Sequence, residues 1–409
     1  MVRRFLILGG FFVAGLFLSV VLSHPKTAPA QALSPSPVVV EPTGSMEDVV
    51  DTVLRKRTDR LTEAGEDAPP PDQEIHVLLL GLDVRKEERE PHCDAIHLFS
   101  FHPENGTLRI TSVPRGTYAY VPSRITQPTE QYLANACAYE SLDYGIEQIE
   151  KVLGVQADYV ATVGFSQALG IFRLFDLPTT ETLQWLRHRQ SYAIGDPQRS
   201  HNQAVFMKDM LVAHLDAFRS KLSVPFQYLL YSLVDSDMDF ATARILLKAL
   251  ADAEVDRVPE RIELAIKPFY PVADYHLDLA RASEQIAEIA AFLAPLLSKE
   301  DLSGRSIEDI QAELVAYLDA RLLAPDPVAD VMEKRLWLQV EDAEVRERLH
   351  SLLLERYVRD EAASDVERFD LLTDYVLEQQ ALGNEVYMEK GKALLAEWVS
   401  PSSSSEDAF

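Results

Sequence analysis

The sequence predicts an α/β protein: an α-β-α sandwich around a mixed β-sheet, followed by a small all-helical C-terminal domain. Short apolar, β-branched runs at residues 75–80, 95–101, 107–113, 158–163 and 261–267 have the length and composition of buried strands. Between them the apolar residues fall at helical spacing, as at Ile146, Ile149, Val152 and Leu153. After Ser298 strand signals are sparse, and IEDIQAELVAYL, VRERLHSLLLERYV and FDLLTDYVLEQQAL keep a helical period.

In chain order, Met1–Arg4 carries two arginines and is followed by an uncharged apolar run from Phe5 to Leu22. That run is long enough to cross a bilayer as a helix, and the arginines before it favour a cytoplasmic N-terminus. A cleaved signal peptide is the competing reading, because Ala28-Pro29-Ala30 resembles a cleavage site. The length of the run favours an anchor over residues 1–24, with the bulk of the chain outside the cytoplasm. Residues 25–71 read as a Pro/Ser-rich spacer with a short polar helix at Met46–Glu63.

The first three strands matter most. Asn105-Gly106 lies between the second and third, so these should form an antiparallel hairpin. The link from the first to the second is too short for a crossover helix, which makes that pair antiparallel too. The end of strand one (Asp83, Arg85), the start of strand two (His92, Asp94) and the end of strand three (Arg115) then share one edge. Asp83 and Asp94 suit a hard divalent cation, Mg²⁺ or Mn²⁺. Arginines beside them suit phosphate oxygens, which the planar guanidinium grips through two hydrogen bonds. The same residues also suit a salt-bridge network capping the sheet edge.

Cys93 and Cys137 are the only cysteines, too few for a disulfide framework or a zinc site. The sequence leaves open whether they bridge or stay as buried thiols. A helix is expected within Gln131–Gly154, ending at the glycine. Gly164-Phe165-Ser166-Gln167-Ala168 places a serine in a strand-to-helix turn, the geometry of a hydrolase nucleophile. No His or Asp is marked out as its partner, and a serine N-capping the helix Ser166–Leu174 is the simpler account.

A second charged group follows at Leu183–Gln203. Asp196 reads as an N-cap with Pro197 at the first helical position, opening a helix toward Phe218. Arg199 and Gln203, four apart, share a face of its opening turns, and a helix N-terminus favours anions. Arg187 and Arg189 add charge just before it. Two helices are expected within Phe226–Ala253 and a last one over Val272–Leu297. The helical segment 298–400 reads as a small interaction domain, open to a protein partner, and 401–409 as a disordered tail. A formal net charge of −26 excludes a large nucleic-acid surface.

LLLGLDVR, Asp94 and SVPRGTY resemble the opening motifs of the LytR-CpsA-Psr family of cell-envelope glycopolymer transferases, usually G-S-D-x-R, R-S-D-T and S-x-P-R-D-T-Y. Asp83, Arg85, Asp94 and Arg115 match, whereas His92, Cys93 and Gly116 replace Arg, Ser and Asp. Arg187, Arg189, Gly195, Asp196, Arg199 and Gln203 match the family's Y-V-R-x-R and G-D-x-x-R-x-x-R-Q, with Asn202 in place of an arginine. The resemblance covers residues 72–297. It implies a membrane-anchored, extracytoplasmic phosphotransferase that moves a glycopolymer from a polyprenyl pyrophosphate to peptidoglycan or another envelope acceptor. It further implies catalytic roles for Asp83, Asp94 and Arg115, with Asp83 and Asp94 on Mg²⁺ or Mn²⁺. Arg85, Arg115, Arg187, Arg189, Asp196, Arg199 and Gln203 are then the pyrophosphate contacts. The replaced positions leave a second reading, a polyprenyl-pyrophosphate-binding scaffold with reduced turnover.

Overall fold

The computed structural model describes residues 50–56, 59, 73–83, 91–187, 195–215, 224–278, 281 and 306–399. The apolar run expected as an anchor, most of the spacer and the tail lie outside them. No described helix is long and apolar enough to cross a membrane.

Among the described residues six strands form one mixed sheet: β1 (Ile75–Asp83), β2 (His92–His102), β3 (Thr107–Ser112), β4 (Tyr159–Gly164), β5 (Asp235–Ser236) and β6 (Ile262–Ile266), ordered β5-β4-β1-β2-β3-β6. Strand β1 runs antiparallel to β2 and parallel to β4. A central strand is covered on both faces, which is why its apolar run is unbroken. Val77 and Leu79 enter the larger core on one face, and Leu78 and Leu80 the smaller core on the other. The β2–β3 hairpin turns at Gly106, whose φ of 56° suits glycine. A Cβ there would lie 2.1 Å from that of Ala253.

Helices α1 (Leu133–Tyr139) and α2 (Leu142–Leu153) cover the smaller core. One helix was expected here; the chain breaks instead where the Ser141 side chain caps α2, accepting from the Tyr144 N–H. Helices α3 (Phe165–Leu174), α4 (Thr179–Arg187), α5 (Asp196–His214), α6 (Val224–Ser232) and α7 (Phe240–Asp252) carry residues into the larger core. The two-residue β5 is too short to leave a pattern in the sequence.

The helix expected over Val272–Leu297 does not begin at Val272: residues 271–278 have no regular secondary structure. Side chains of α5 claim this segment as a strap. Gln198 exchanges hydrogen bonds with the Ala273 backbone, His201 meets Asp274 at 2.6 Å, and Asp209 meets His276 at 2.6 Å. Residues 279, 280 and 282–297 lie outside the described chain.

The C-terminal region is helical, with α8 (Ile307–Leu323), α9 (Ala329–Glu333), α10 (Ala343–Asp360), α11 (Asp365–Leu382) and α12 (Glu385–Val399). A 3₁₀ turn at Leu336–Gln339 docks on α3, where the Arg173 guanidinium donates to the Leu338 carbonyl. Tyr228 of α6 donates to Asp374 of α11 at 3.0 Å. The helical segment at residues 50–56 also packs here. Val50, Val53 and Leu54 form an i, i+3, i+4 stripe buried with Leu372, Tyr375 and Val376. The helix expected as a polar part of the spacer therefore has an apolar face seated in the C-terminal core.

Candidate functional site

Strand β2 does not pair regularly at its start. Leu82 faces Cys93 and Gly81 faces Ala95, so Asp94 is left over as a β-bulge. The bulge changes which way the side chains point. Cys93 and Ile96 both enter the smaller core, while Asp94 and Ala95 both line a cleft on the opposite face. Regular alternation would have sent neighbours to opposite sides.

Three guanidinium groups surround the Asp94 carboxylate. Arg115, three residues beyond β3, donates to Asp94 Oδ1 and lies 3.8 Å from the Asp196 carboxylate. Arg199, buried in the first turn of α5, donates to the Asp94 carbonyl oxygen at 3.1 Å and pairs with Asp196 at 2.6 Å. Arg187, in the last turn of α4, stacks 4.6 Å over the Phe165 ring. Burial alone would raise the Asp94 carboxyl, but Arg115, then Arg199 and Arg187, outweigh it and hold the group below the ordinary carboxylate value. Asp94 is therefore ionised at neutral pH.

Asp196 is not the N-cap expected of it. Gly195 holds that place, and Asp196 is the first helical residue. Its carboxylate turns outward to the two arginines and accepts the Gly116 backbone N–H at 3.2 Å. Ser166 is not a cap either, because Gly164 precedes α3 and Ser166 is its second residue. The Ser166 hydroxyl is buried and accepts from Gln339 Nε2 at 2.8 Å.

Asp94, Arg187, Arg199 and Gln203 form the polar end of a cleft between the sheet and α3, α4 and α5. The cleft encloses about 800 Å³, solvent at its mouth included. Its remaining walls are mainly apolar, with Val163, Phe165, Ala168, Leu186, Phe206 and Met207 among them. Asp83 ends β1 opposite His92 and is buried. Arg85 and Arg189 lie outside the described residues. Asn202, at the position of a family arginine, accepts from Gln198 at 2.8 Å and has no part in the cleft lining. His92 sets its ring edge-on to Tyr139, with centroids 5.9 Å apart.

His97 belongs to the site and sequence reasoning missed it. Gln203 donates its amide N–H to the Leu186 carbonyl at 2.9 Å, which turns its oxygen toward His97 Nε2 at 3.2 Å. Nε2 must then carry the proton, leaving Nδ1 to accept from the Ser112 hydroxyl at 3.1 Å. Burial, with Arg199 and His201 nearby, pushes the ring down to about 4 against the pull of the Gln203 hydrogen bond, so it is neutral. The available signal was a histidine, His97, inside the largely apolar run 95–101.

Cys93 and Cys137 form a disulfide joining β2 to α1. Among the described residues, no group of three or more His, Cys, Asp or Glu side chains is placed to hold a metal. Two carboxylates at neighbouring strand ends fit Mg²⁺ only in the mode where phosphate oxygens and water complete the octahedron.

These features define an α/β protein with an arginine–carboxylate network at the head of an apolar cleft. Residues 47–169 match the model of the LytR_cpsA_psr family. A teichoic acid transferase, TagU of Bacillus cereus, is 27% identical over 92 residues, 22% of this chain and 29% of its own length. TagT of Bacillus subtilis is 29% identical over 101 residues, 24% of this chain and 30% of its own. The chain thus spans about a third of the length of these curated relatives. Among solved structures, B. subtilis TagV aligns at a TM-score of 0.37 and 16% identity, covering 53% of this chain and 95% of its own. TagT bound to LIIa-WTA aligns at 0.35 and 18%, covering 55% and 93%.

Proposed function

We propose that this protein transfers a glycopolymer from a polyprenyl-pyrophosphate carrier to peptidoglycan or another cell-envelope acceptor, releasing polyprenyl phosphate. One observation carries the reading: the Asp94–Arg115–Asp196–Arg199 network stands at the head of an apolar cleft, matching a ligand with a charged head and a prenyl tail. The family match agrees with it. So do the names of the relatives TagU and TagT, polyisoprenyl-teichoic acid–peptidoglycan teichoic acid transferases.

In this reading the acceptor hydroxyl attacks the phosphorus that bears the glycan. The bond to the bridging oxygen breaks, and polyprenyl phosphate leaves with its electron pair. Arg115, Arg187 and Arg199 stabilise the charge that develops on the leaving phosphate, and Arg85 and Arg189 add to them. Gln203, fixed between His97 and Leu186, adds a polar contact at the same place. A carboxyl held below its ordinary value is a poor general base. Asp94 therefore orients Arg115 and leaves the hydroxyl proton to another base. Asp83 and Asp94 would hold Mg²⁺ or Mn²⁺, which neutralises pyrophosphate charge when bound. The apolar run at residues 5–22 would tether the chain beside the membrane that carries the donor.

The test supplies the full chain with a lipid-linked oligosaccharide and Mg²⁺ and measures release of polyprenyl phosphate. Release supports the transferase. Tight donor binding without release points to the binding scaffold, and absence of both overturns the proposal.

A further inference from the structure

We propose that the Cys93–Cys137 disulfide positions the Asp94–Arg115 ion pair, so that anion binding at the cleft head requires the oxidised bridge. The inference rests on reading that head as the pyrophosphate site.

Each cysteine is tied to one member of the pair. Cys93 directly precedes Asp94, and it is here that β2 bulges away from β1. A bulge has no ladder partner to fix the extra residue, so its direction depends on what holds its neighbours. The neighbour on one side is the bridge. Cys137 lies in α1, whose first two residues hold the loop that carries Arg115. The Ala134 N–H donates to the Arg115 carbonyl at 3.1 Å, and the Leu133 N–H to the Thr117 carbonyl at 3.0 Å.

A ring results. From Asp94 it passes through Cys93 and the bridge to Cys137, along α1 to Ala134, across a hydrogen bond to Arg115, and through the ion pair back to Asp94. The bridge is the only covalent crosslink in that ring besides the chain itself. Both cysteines are fully buried. A Cβ at Gly145 of α2 would sit 2.3 Å from Cys137 Sγ, so α2 packs directly on the bridge. Two thiol sulfurs need van der Waals separation rather than bonding distance, and α2 blocks retreat on its side. Reduction therefore frees β2 and α1 to shift against each other, and such a shift changes the separation of Asp94 and Arg115.

The experiment titrates the full chain with geranyl pyrophosphate by calorimetry, before and after dithiothreitol. The reagent converts the bridge to two thiols and is itself oxidised to its cyclic disulfide. Reduction should weaken binding about tenfold or more, the worth of one charge-assisted contact, with circular dichroism unchanged and affinity restored on reoxidation. The double variant Cys93→Ala/Cys137→Ala should bind like the reduced chain and ignore dithiothreitol. In Arg115→Ala, reduction should cost little further affinity, because the contact it acts through is already gone.

Equal affinity in both redox states overturns the proposal, as do additive losses in Arg115→Ala. Unfolding on reduction also overturns it, by making the bridge a general stabiliser. Failure of the oxidised wild type to bind geranyl pyrophosphate sinks the pyrophosphate reading itself, a result distinct from the other three.

Discussion

Gln339 Nε2 donates to the Ser166 hydroxyl at 2.8 Å, across 173 positions of sequence. The contact ties the C-terminal helical region to the second residue of α3 and occupies the serine that most resembled a nucleophile. A hydroxyl buried against a glutamine amide has a structural use, and among the described residues no base is hydrogen-bonded to it. Ser166→Ala should therefore leave polyprenyl phosphate release within about twofold of wild type, since no transition-state contact is removed. Loss of release in a folded Ser166→Ala chain would restore the hydrolase reading.

The same contact makes a stability prediction. In Gln339→Ala the buried Ser166 hydroxyl loses its donor, at a cost of about 1–3 kcal/mol. Urea unfolding should show that loss, while the affinity for geranyl pyrophosphate stays unchanged. An unchanged midpoint would mean that this interface contributes nothing to the fold.

Arg115 and Arg199 come from a loop and a helix 84 positions apart, yet both pair with Asp196 and both bond to Asp94. Either Arg→Ala change should weaken donor binding about tenfold or more. Because they share partners, the double variant should lose less than the sum. A double-mutant cycle on geranyl pyrophosphate binding, with circular dichroism as the folding control, decides this. Strict additivity would mean that the two arginines serve separate sites.

The charged edge was legible in the sequence because its logic is local. Asn105-Gly106 fixed the hairpin, the short link fixed the antiparallel pair, and polarity then brought Asp94 and Arg115 to one end. Arg199 was legible from the helix start that carries it. Three features were not. The bulge at Asp94 depends on a register break that no periodicity records. The strap at residues 271–278 has helical composition, but Gln198, His201 and Asp209 of α5 outbid its own backbone bonds. The stripe Val50, Val53 and Leu54 was visible, but its partners lie some 300 residues further on, and nothing in the spacer pointed to them.

His97 gives the fold a pH dependence. Its folded value of about 4 lies below the ordinary 6.5, so between these limits the unfolded chain takes up a proton that the folded chain refuses. The contribution is complete above about pH 6.5 and is lost as pH falls toward 4. His214 and His350, each pushed down to about 3 by burial, act in the same direction, so a variant is needed to isolate one share. In His97→Gln the stability lost between pH 7 and pH 5 should be smaller than in wild type by about 2 kcal/mol. Denaturant unfolding at the two pH values measures it, and equal slopes would place the proton elsewhere.

The cleft can be separated from its charged head by filling it. Ala168 lines the apolar wall from α3 and is only partly buried, so a larger side chain there has the cleft to enter. Ala168→Trp adds an indole to the space a prenyl tail would occupy and leaves Asp94, Arg115, Asp196 and Arg199 in the chain. Inorganic pyrophosphate should bind this variant as it binds wild type, because the guanidinium groups are untouched. Geranyl pyrophosphate should lose the burial of its tail, about 0.8 kcal/mol for each methylene left in water, and three such groups already amount to roughly fiftyfold. Calorimetry with both ligands gives the comparison. Equal loss for the two would mean that the indole disturbs the head. No loss for either would mean that the prenyl chain lies outside this cleft.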